Sequence, residues 1–394
     1  MDSELTHQCK ICGARGLREV RGFAELFRIT SDCRPFRKGG ELHVCMTCAA
    51  VQKVATAGWL SEIEEIYNGY EPYFQAGGEE QRVFDPVMGL LRPRSDVIVD
   101  RLIKLRVLPE IGKALDVGCG TGVTLRSLSR ALPGFRLYGQ EINRRHERVL
   151  TSIPNFEVLY SGPIAHLEGA FDLVTLIHSL EHFPAPSEVM RDLRRILTQR
   201  GIVLVQVSDT ENNPFDLVIA DHLLHFSPGS LRNMVSTSAL TIGLVARDWV
   251  SKELTCVCGT GLHVATSGDT TPDPKAVYDR VNRQIEWLGE IAESAREARD
   301  RGSQFGIFGT SIAATWIAAG LDMEFDFFVD EDKHRAGRPY LDKPVLEPAM
   351  IEPGSTIYLA LTPVVAESVN RRLHRLPVKF ITPPTFESAY IEPT

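Results

Sequence analysis

The sequence predicts an α/β protein, with a mostly parallel sheet whose strands alternate with helices, a small cysteine-bearing module before it and a second α/β unit after it. Three observations predict this. The stretch "KALDVGCGTG" (113–122) sets a short apolar run directly before three glycines. Apolar runs of strand length then alternate with helical patterns up to residue 207. After residue 265 a polar, proline-containing linker, "TSGDTTPDPK", leads into a second round of the same alternation.

The elements follow in order. Ala114-Leu115-Asp116-Val117 suits a buried parallel strand. Gly118, Gly120 and Gly122 allow a tight turn and the close approach of a ligand. Val123, Leu125, Leu128 and Leu132 then recur at helical spacing. The next strand, "FRLYGQEI", ends in Glu141, 21 positions after Gly120 (141 minus 120), which fits one βαβ step. A carboxylate there can take both ribose hydroxyls of a nucleoside. Strands "FDLVTLI" (171–177) and "GIVLVQV" (201–207) flank the helical "SEVMRDLRRIL". In the last third, Val277, Val281, Ile285, Leu288, Ala292 and Ala295 mark a long amphipathic helix. It leads to a strand, a glycine turn and a helix in "FGIFGTSIAATWIAAGL", then strands in "FDFFVDED" and "STIYLAL". Gly306 and Gly309 lack the full dinucleotide pattern, so a docking or substrate-holding unit is expected rather than a second nucleotide site.

A chain of 394 residues has room for two or three domains. The expected divisions are 1–60, 61–265 and 266–394. Lys plus Arg is 43 against 51 Asp plus Glu, net −8, which argues against nucleic acid as a partner. No apolar run approaches the roughly 20 residues of a membrane helix. "MDSELTHQCK" is not a signal peptide, so no membrane partner and a cytoplasmic location are expected.

Eight cysteines include two C-x-x-C pairs, Cys9/Cys12 and Cys45/Cys48. Two such pairs can complete a tetrahedral four-sulfur site, the arrangement of structural zinc. No βαβ pattern precedes residue 60 to support a redox role instead. Cys33, in "TSDCRPFRKGG", is expected to be structural. Residues 1–60 carry nine basic and six acidic groups, compatible with an anionic ligand. "YEPYFQAGG" (70–78), with Tyr73, suits a lid ahead of the first strand.

"LDVGCGTG" and "FDLVTLIHSLEHFPAP" resemble the class I S-adenosylmethionine-dependent methyltransferases. The resemblance implies S-adenosylmethionine as cofactor, with Tyr73, Asp116, Gly118, Cys119, Gly120, Glu141 and His178 around it. Gly118 and Gly120 would approach its methionine part, Glu141 would hold the ribose and His178 would lie alongside. Glu181 and His182 would shape the pocket wall. No acid for the adenine amine is evident; Ser161 or nearby backbone stands in.

The order of the three parts is similar to that of the zinc-containing sugar C-methyltransferases, which methylate C-3 of a nucleotide-linked 4-keto-deoxysugar. Cys33 with its neighbours, "LHVCMTC" and "FVDEDKHRAGRPYLDKPV" carry that likeness. In that family the stretch after strand five reads Tyr-His-Glu-His-Leu-Ser-Tyr-Phe-Ser. Here it is Ile219-Ala220-Asp221-His222-Leu223-Leu224-His225-Phe226-Ser227. A carbon beside a ketone must lose a proton before it attacks a methyl group, and histidine beside a carboxylate suits that task. The resemblance makes His222 the base, Asp221 its orienting acid and His225 a substrate contact. Ile219 stands where the family has a tyrosine, so N- or O-methylation stays open. A zinc-ribbon RNA methyltransferase is the reading from another class.

Overall fold

The protein is described from a computed structural model that covers residues 7–74, 78–85, 87–262, 272–301 and 304–386. Most of the linker "TSGDTTPDPK" and residues 75–77 of the expected lid lie outside these residues.

The central sheet has seven strands. In chain order they are β1 (Gly112–Val117), β2 (Phe135–Glu141), β3 (Phe156–Ser161), β4 (Phe171–Ile177), β5 (Leu197–Ser208), β6 (Thr241–Ala246) and β7 (Glu253–Gly259). Their spatial order is β3-β2-β1-β4-β5-β7-β6. β1 to β5 pair in parallel, and β7 runs antiparallel between β5 and β6. Helices Val123–Ala131 and Pro186–Ile196 bury Leu125 and Leu128, and Met190 and Leu193, against the sheet. Covering both faces explains why β1 and β4 read as unbroken apolar runs. The carboxyl ends of β1, β2 and β4 meet where the strand order reverses, the place where open α/β sheets leave a crevice.

The N-terminal module is a second sheet, of strands Leu17–Glu19, Leu42–Cys45 and Val51–Lys53. Its fourth strand comes from far along the chain: Leu224 and His225 pair with Gln52 and Val51. Ala220 N–H donates to the Ile29 carbonyl at 2.7 Å, and Lys53 N–H donates to that of Leu223 at 2.8 Å. The stretch "ADHLLHFS" is thus stitched into the N-terminal module, across the expected division at residue 60. Helix Ala57–Asn68, capped by Thr56, then closes over it, and Trp59 donates to the Ala220 carbonyl at 3.1 Å.

The C-terminal sheet is parallel throughout, in the order Val345–Leu346, Phe327–Val329, Phe305–Phe308, Thr356–Leu359, Lys379–Ile381. The long helix Pro274–Asp300 buries Val281, Ile285, Leu288 and Ile291 in one core with Phe23 and Leu42 of the N-terminal module and Trp316 of the C-terminal sheet's helix. Trp316 donates to the Phe27 carbonyl, and Tyr340 to that of Cys33. Cys33 is buried with φ 66°, and burial pushes its thiol up to about 12. It is a fixed corner of this contact.

Candidate active site

One side of the crevice is built from β1, its turn and β2. Gly118 and Gly120 have φ of 71° and 48°, and a Cβ on Gly118 would stand 2.8 Å from Ser179 Cβ. Only glycine meets both demands. Glu141, at the tip of β2, accepts from the N–H of Gly120 at 2.6 Å and of Ile142 at 3.0 Å. Asp116 is buried below the turn and accepts from Thr175 Oγ1 at 2.6 Å; burial, with Glu141 nearby, raises it to about 7. The Cys119 side chain turns away from the crevice: its sulfur lies 2.7 Å from where a Cβ on Gly139 would be, within the core. Any contact Cys119 makes with a cofactor would come from its backbone in the turn, while its side chain packs in the core. Pro72 and Tyr73 pass over the turn; a Cβ on Gly120 would come within 3.8 Å of Pro72. Tyr73 is half-buried at φ 60°.

His178 leaves β4 at φ 50°. Its Nδ1 lies 3.3 Å from Glu181 and its Nε2 3.2 Å from Glu253. Burial works against its charge, but Glu253 and Glu181 raise it to about 9. Arg94 and Gln206 hold Glu253 from behind. Ser161 ends β3 and donates to the Ile142 carbonyl at 3.3 Å.

On the opposite side lies a histidine cluster. His222 Nδ1 is 2.9 Å from Asp216 Oδ1, and His225 Nδ1 is 2.7 Å from Asp216 Oδ2. One buried carboxylate therefore serves both rings. Burial opposes its charge, yet the two histidines hold it well below the usual carboxylate range. Asp221 faces elsewhere: it accepts from Ser31 N–H at 2.8 Å and Ser31 Oγ at 2.5 Å, and lies 3.3 Å from His182 Nδ1. The expectation that Asp221 orients His222 is corrected; Asp216 does. His225 is fully buried and its Nε2 lies 3.0 Å from Lys53 Nζ, so both ring nitrogens are engaged and neither is left for a substrate. Sheet pairing with Val51 turns it inward. The ring of His182 meets that of His222 edge-on at 4.7 Å. Among the described residues, both Glu181 carboxylate oxygens are buried without a hydrogen-bond partner, and Glu181, His182 and His222 each bring a ligand-type atom within 4.8 Å of the others.

The sulfurs of Cys9, Cys12, Cys45 and Cys48 also gather within 4.8 Å of one another. Cys9 and Cys48 are 3.5 Å apart, Cys12 and Cys45 3.7 Å.

Residues 91–242 match a family of methyltransferase domains. The chain carries a class I S-adenosylmethionine-dependent methyltransferase domain. Over 131 residues it is 28% identical to the ubiquinone biosynthesis O-methyltransferase of Ralstonia nicotianae, covering 30% of this chain and 54% of that one. Over 130 residues it is 30% identical to the enzyme of the same name from Chromobacterium violaceum, covering 29% and 53%. The chain spans about half the length of these curated relatives. A solved S-adenosylmethionine-dependent methyltransferase from Clostridium acetobutylicum is 13% identical, with a TM-score of 0.36 over 43% of this chain and 91% of that one. Among the described residues, no helix is long and apolar enough to cross a membrane.

Seen from the methyltransferase domain, sequence reasoning missed Asp216, Lys53, Ser31 and the Arg94–Glu253 pair. Asp216 sits in the turn Pro214–Val218, six positions before His222 and nine before His225. Nothing in that spacing singles it out. Ile219 is 4% exposed and bridges to Ile29. Its side chain belongs to the core, not to the pocket.

Proposed function

We propose that the chain methylates a small molecule, and that the acceptor is a nucleotide-linked keto-deoxysugar or related natural-product intermediate methylated at carbon through an enolate. The observation that carries this is the pairing of His222 with Asp216. Asp216 occupies Nδ1 of His222, which leaves Nε2 as the nitrogen available to a proton beside the crevice. His222 would take the acidic C–H proton, and Asp216 would stabilise the imidazolium that results. Glu141 would hold the ribose, the glycine turn the methionine end, and the exposed face of Ile142 the adenine. S-adenosylmethionine, when bound, supplies an activated methyl group, so the protein's work is alignment and deprotonation. His182 and Glu181 would wall the acceptor side, with Asp221 and Ser31 fixing His182.

We further propose that the four cysteines hold one structural zinc ion. Zinc–sulfur bonds of about 2.3 Å in a tetrahedron place sulfurs roughly 3.8 Å apart. The observed pairs at 3.5 and 3.7 Å fit that donor set.

Methylation at oxygen is the second reading. It is supported by the O-methyltransferase names of the relatives and by the absence of a pocket phenol at Ile219. One experiment separates the two: a panel of nucleotide-linked keto sugars is incubated with the protein in deuterated water, with S-adenosylhomocysteine in place of the methyl donor. Exchange of the C–H beside the ketone, lost in His222→Ala, supports carbon. Methyl transfer to an acceptor that shows no exchange would move the reading to oxygen or nitrogen.

A further inference from the structure

We infer that Lys53 is a positioning residue for this reaction: carried on the strand after the second cysteine pair, its ammonium locks His225 as the neutral Nδ1–H tautomer and so keeps Asp216 available to His222. The inference rests on the reading of His222 as the base.

Lys53 is 1% exposed, and its Nζ lies 2.5 Å from the Ile219 carbonyl, 2.8 Å from the His222 carbonyl and 3.0 Å from His225 Nε2. A lysine ammonium has three protons and no lone pair, and here it meets three acceptors. His225 Nε2 must therefore be unprotonated, which puts the ring's one proton on Nδ1. That N–H donates to Asp216 Oδ2, and His222 Nδ1–H donates to Oδ1. Asp216 accepts from both rings and also from Thr210 Oγ1 at 3.3 Å, so it stays a carboxylate. With its Nδ1 proton committed, His222 presents a bare Nε2. The chain His222–Asp216–His225–Lys53 thus fixes one tautomer at each ring.

The ammonium that this order requires prevails below pH about 7. Burial lowers Lys53 to about 7, Arg28 pushes the same way, and Asp216, Asp221 and Glu62 push back. The face of Phe23 lies 5.8 Å from Nζ. His225 is lowered to about 4 by burial first, then by Lys53 and by His222, against Asp216. If His225 gained a proton, its second N–H would confront the ammonium, and its charge would draw on Asp216 just when His222 needs it.

The test is nitrogen NMR of the full-length protein labelled at histidine, with the His225 signal identified by its loss in His225→Gln. In the wild type, His225 is expected to show a protonated Nδ1 and a bare Nε2 from pH about 6.5 down to about 5, where Lys53 keeps its ammonium and an ordinary histidine would take its second proton. In Lys53→Met, His225 is expected to take a second proton within that range. Turnover of the variant should then fall by about tenfold more than that of the wild type as pH drops, part of the ~10²–10⁴ that a positioned base contributes. A protonated Nε2 on wild-type His225 overturns the inference, and that spectrum decides the matter even if Lys53→Met does not fold. Unchanged His225 titration and an unchanged pH profile in a folded Lys53→Met overturn it too. If instead His222→Ala keeps wild-type turnover, the base reading fails, while the His225 spectrum still reports what Lys53 does.

Discussion

The two sides of the crevice, proposed as the cofactor side and the acceptor side, are assembled by opposite routes. Gly118, Gly120 and Glu141 lie within one strand–turn–helix–strand segment, and the bond from Gly120 N–H to Glu141 closes over 21 positions. The acceptor side draws Ser31 and Lys53 from the N-terminal module, Glu181 and His182 from the loop after β4, and Asp216, Asp221, His222 and His225 from the segment after β5. Its ties span up to 190 positions, from Ser31 to Asp221. A local unit survives damage elsewhere; a composite one fails when any contributor moves. The N-terminal module is therefore expected to govern the acceptor side and leave the cofactor side nearly untouched.

Removing the metal puts the greatest strain on that contrast. The wild type is expected to contain about one zinc per chain by elemental analysis. Cys45→Ser, or chelation, should unfold the N-terminal module, because structural zinc contributes to folding outright. The strand Val51–Lys53 follows Cys48 closely and pairs with Leu224–His225. Methyl transfer should therefore be abolished, while calorimetric affinity for S-adenosylmethionine stays within a few-fold. Equal loss of both would show that the two sides are not separable.

Within the acceptor side, His222→Ala should lower turnover by roughly 10²–10⁴ with cofactor affinity intact. Asp216→Asn should cost more turnover than Asp221→Asn, since Asp216 holds His222 and Asp221 holds Ser31 and His182. The reverse ranking would restore the neighbouring acid as the orienting one. On the cofactor side the effect is milder. Glu141→Ala should weaken S-adenosylmethionine binding by about 1.5–3 kcal/mol, the worth of charge-assisted hydrogen bonds. Turnover at saturating cofactor should change little. Unchanged affinity in calorimetry would remove Glu141 from the ribose.

The same contrast governs what could be read from the sequence. The glycine turn, Glu141 and the strands at 171–177 and 201–207 were legible, because periodicity and spacing are local. The cysteine pairs were legible because their residue type is rare. "ADHLLHFS" was visible as a cluster, but its wiring was not. Adjacency in sequence suggested Asp221 for His222; in the fold, pairing of Leu224–His225 with Val51–Lys53 turns Asp221 toward Ser31 and brings Asp216 beneath both rings. Lys53 carried no signal, since nothing in its own surroundings marks a lysine as buried. Ile219 looked like a lost substrate contact and is a core residue, a matter settled by its bridge to Ile29.

The smallest expected effect concerns the seam between the two sides, where His178 stands between Glu181 and Glu253. Its folded value is about 9, raised by Glu253 and Glu181 against burial, and an unfolded histidine titrates near 6.5. Below about 6.5 both states carry the proton and the ion pairs contribute fully. Between about 6.5 and 9 only the folded state holds it, so this contribution declines as pH rises and is gone above about 9. Lys53 acts with the opposite sign. Its folded value is about 7 and its unfolded value about 10.4, so the unfolded state binds more protons in that interval and stability gains with pH. The raw melting curve therefore mixes two slopes, and the informative quantity is a difference. Melting temperatures of the wild type and of His178→Gln, each measured at pH 6, 7.5 and 9.5, should lie furthest apart at pH 6 and converge by 9.5. His178 is partly open to solvent, with 23% of its side chain exposed, so the separation should be modest and should shrink with added salt. A gap that stays constant across the three pH values would mean that His178 is neutral in the folded protein and that its ion pairs with Glu181 and Glu253 add nothing to stability.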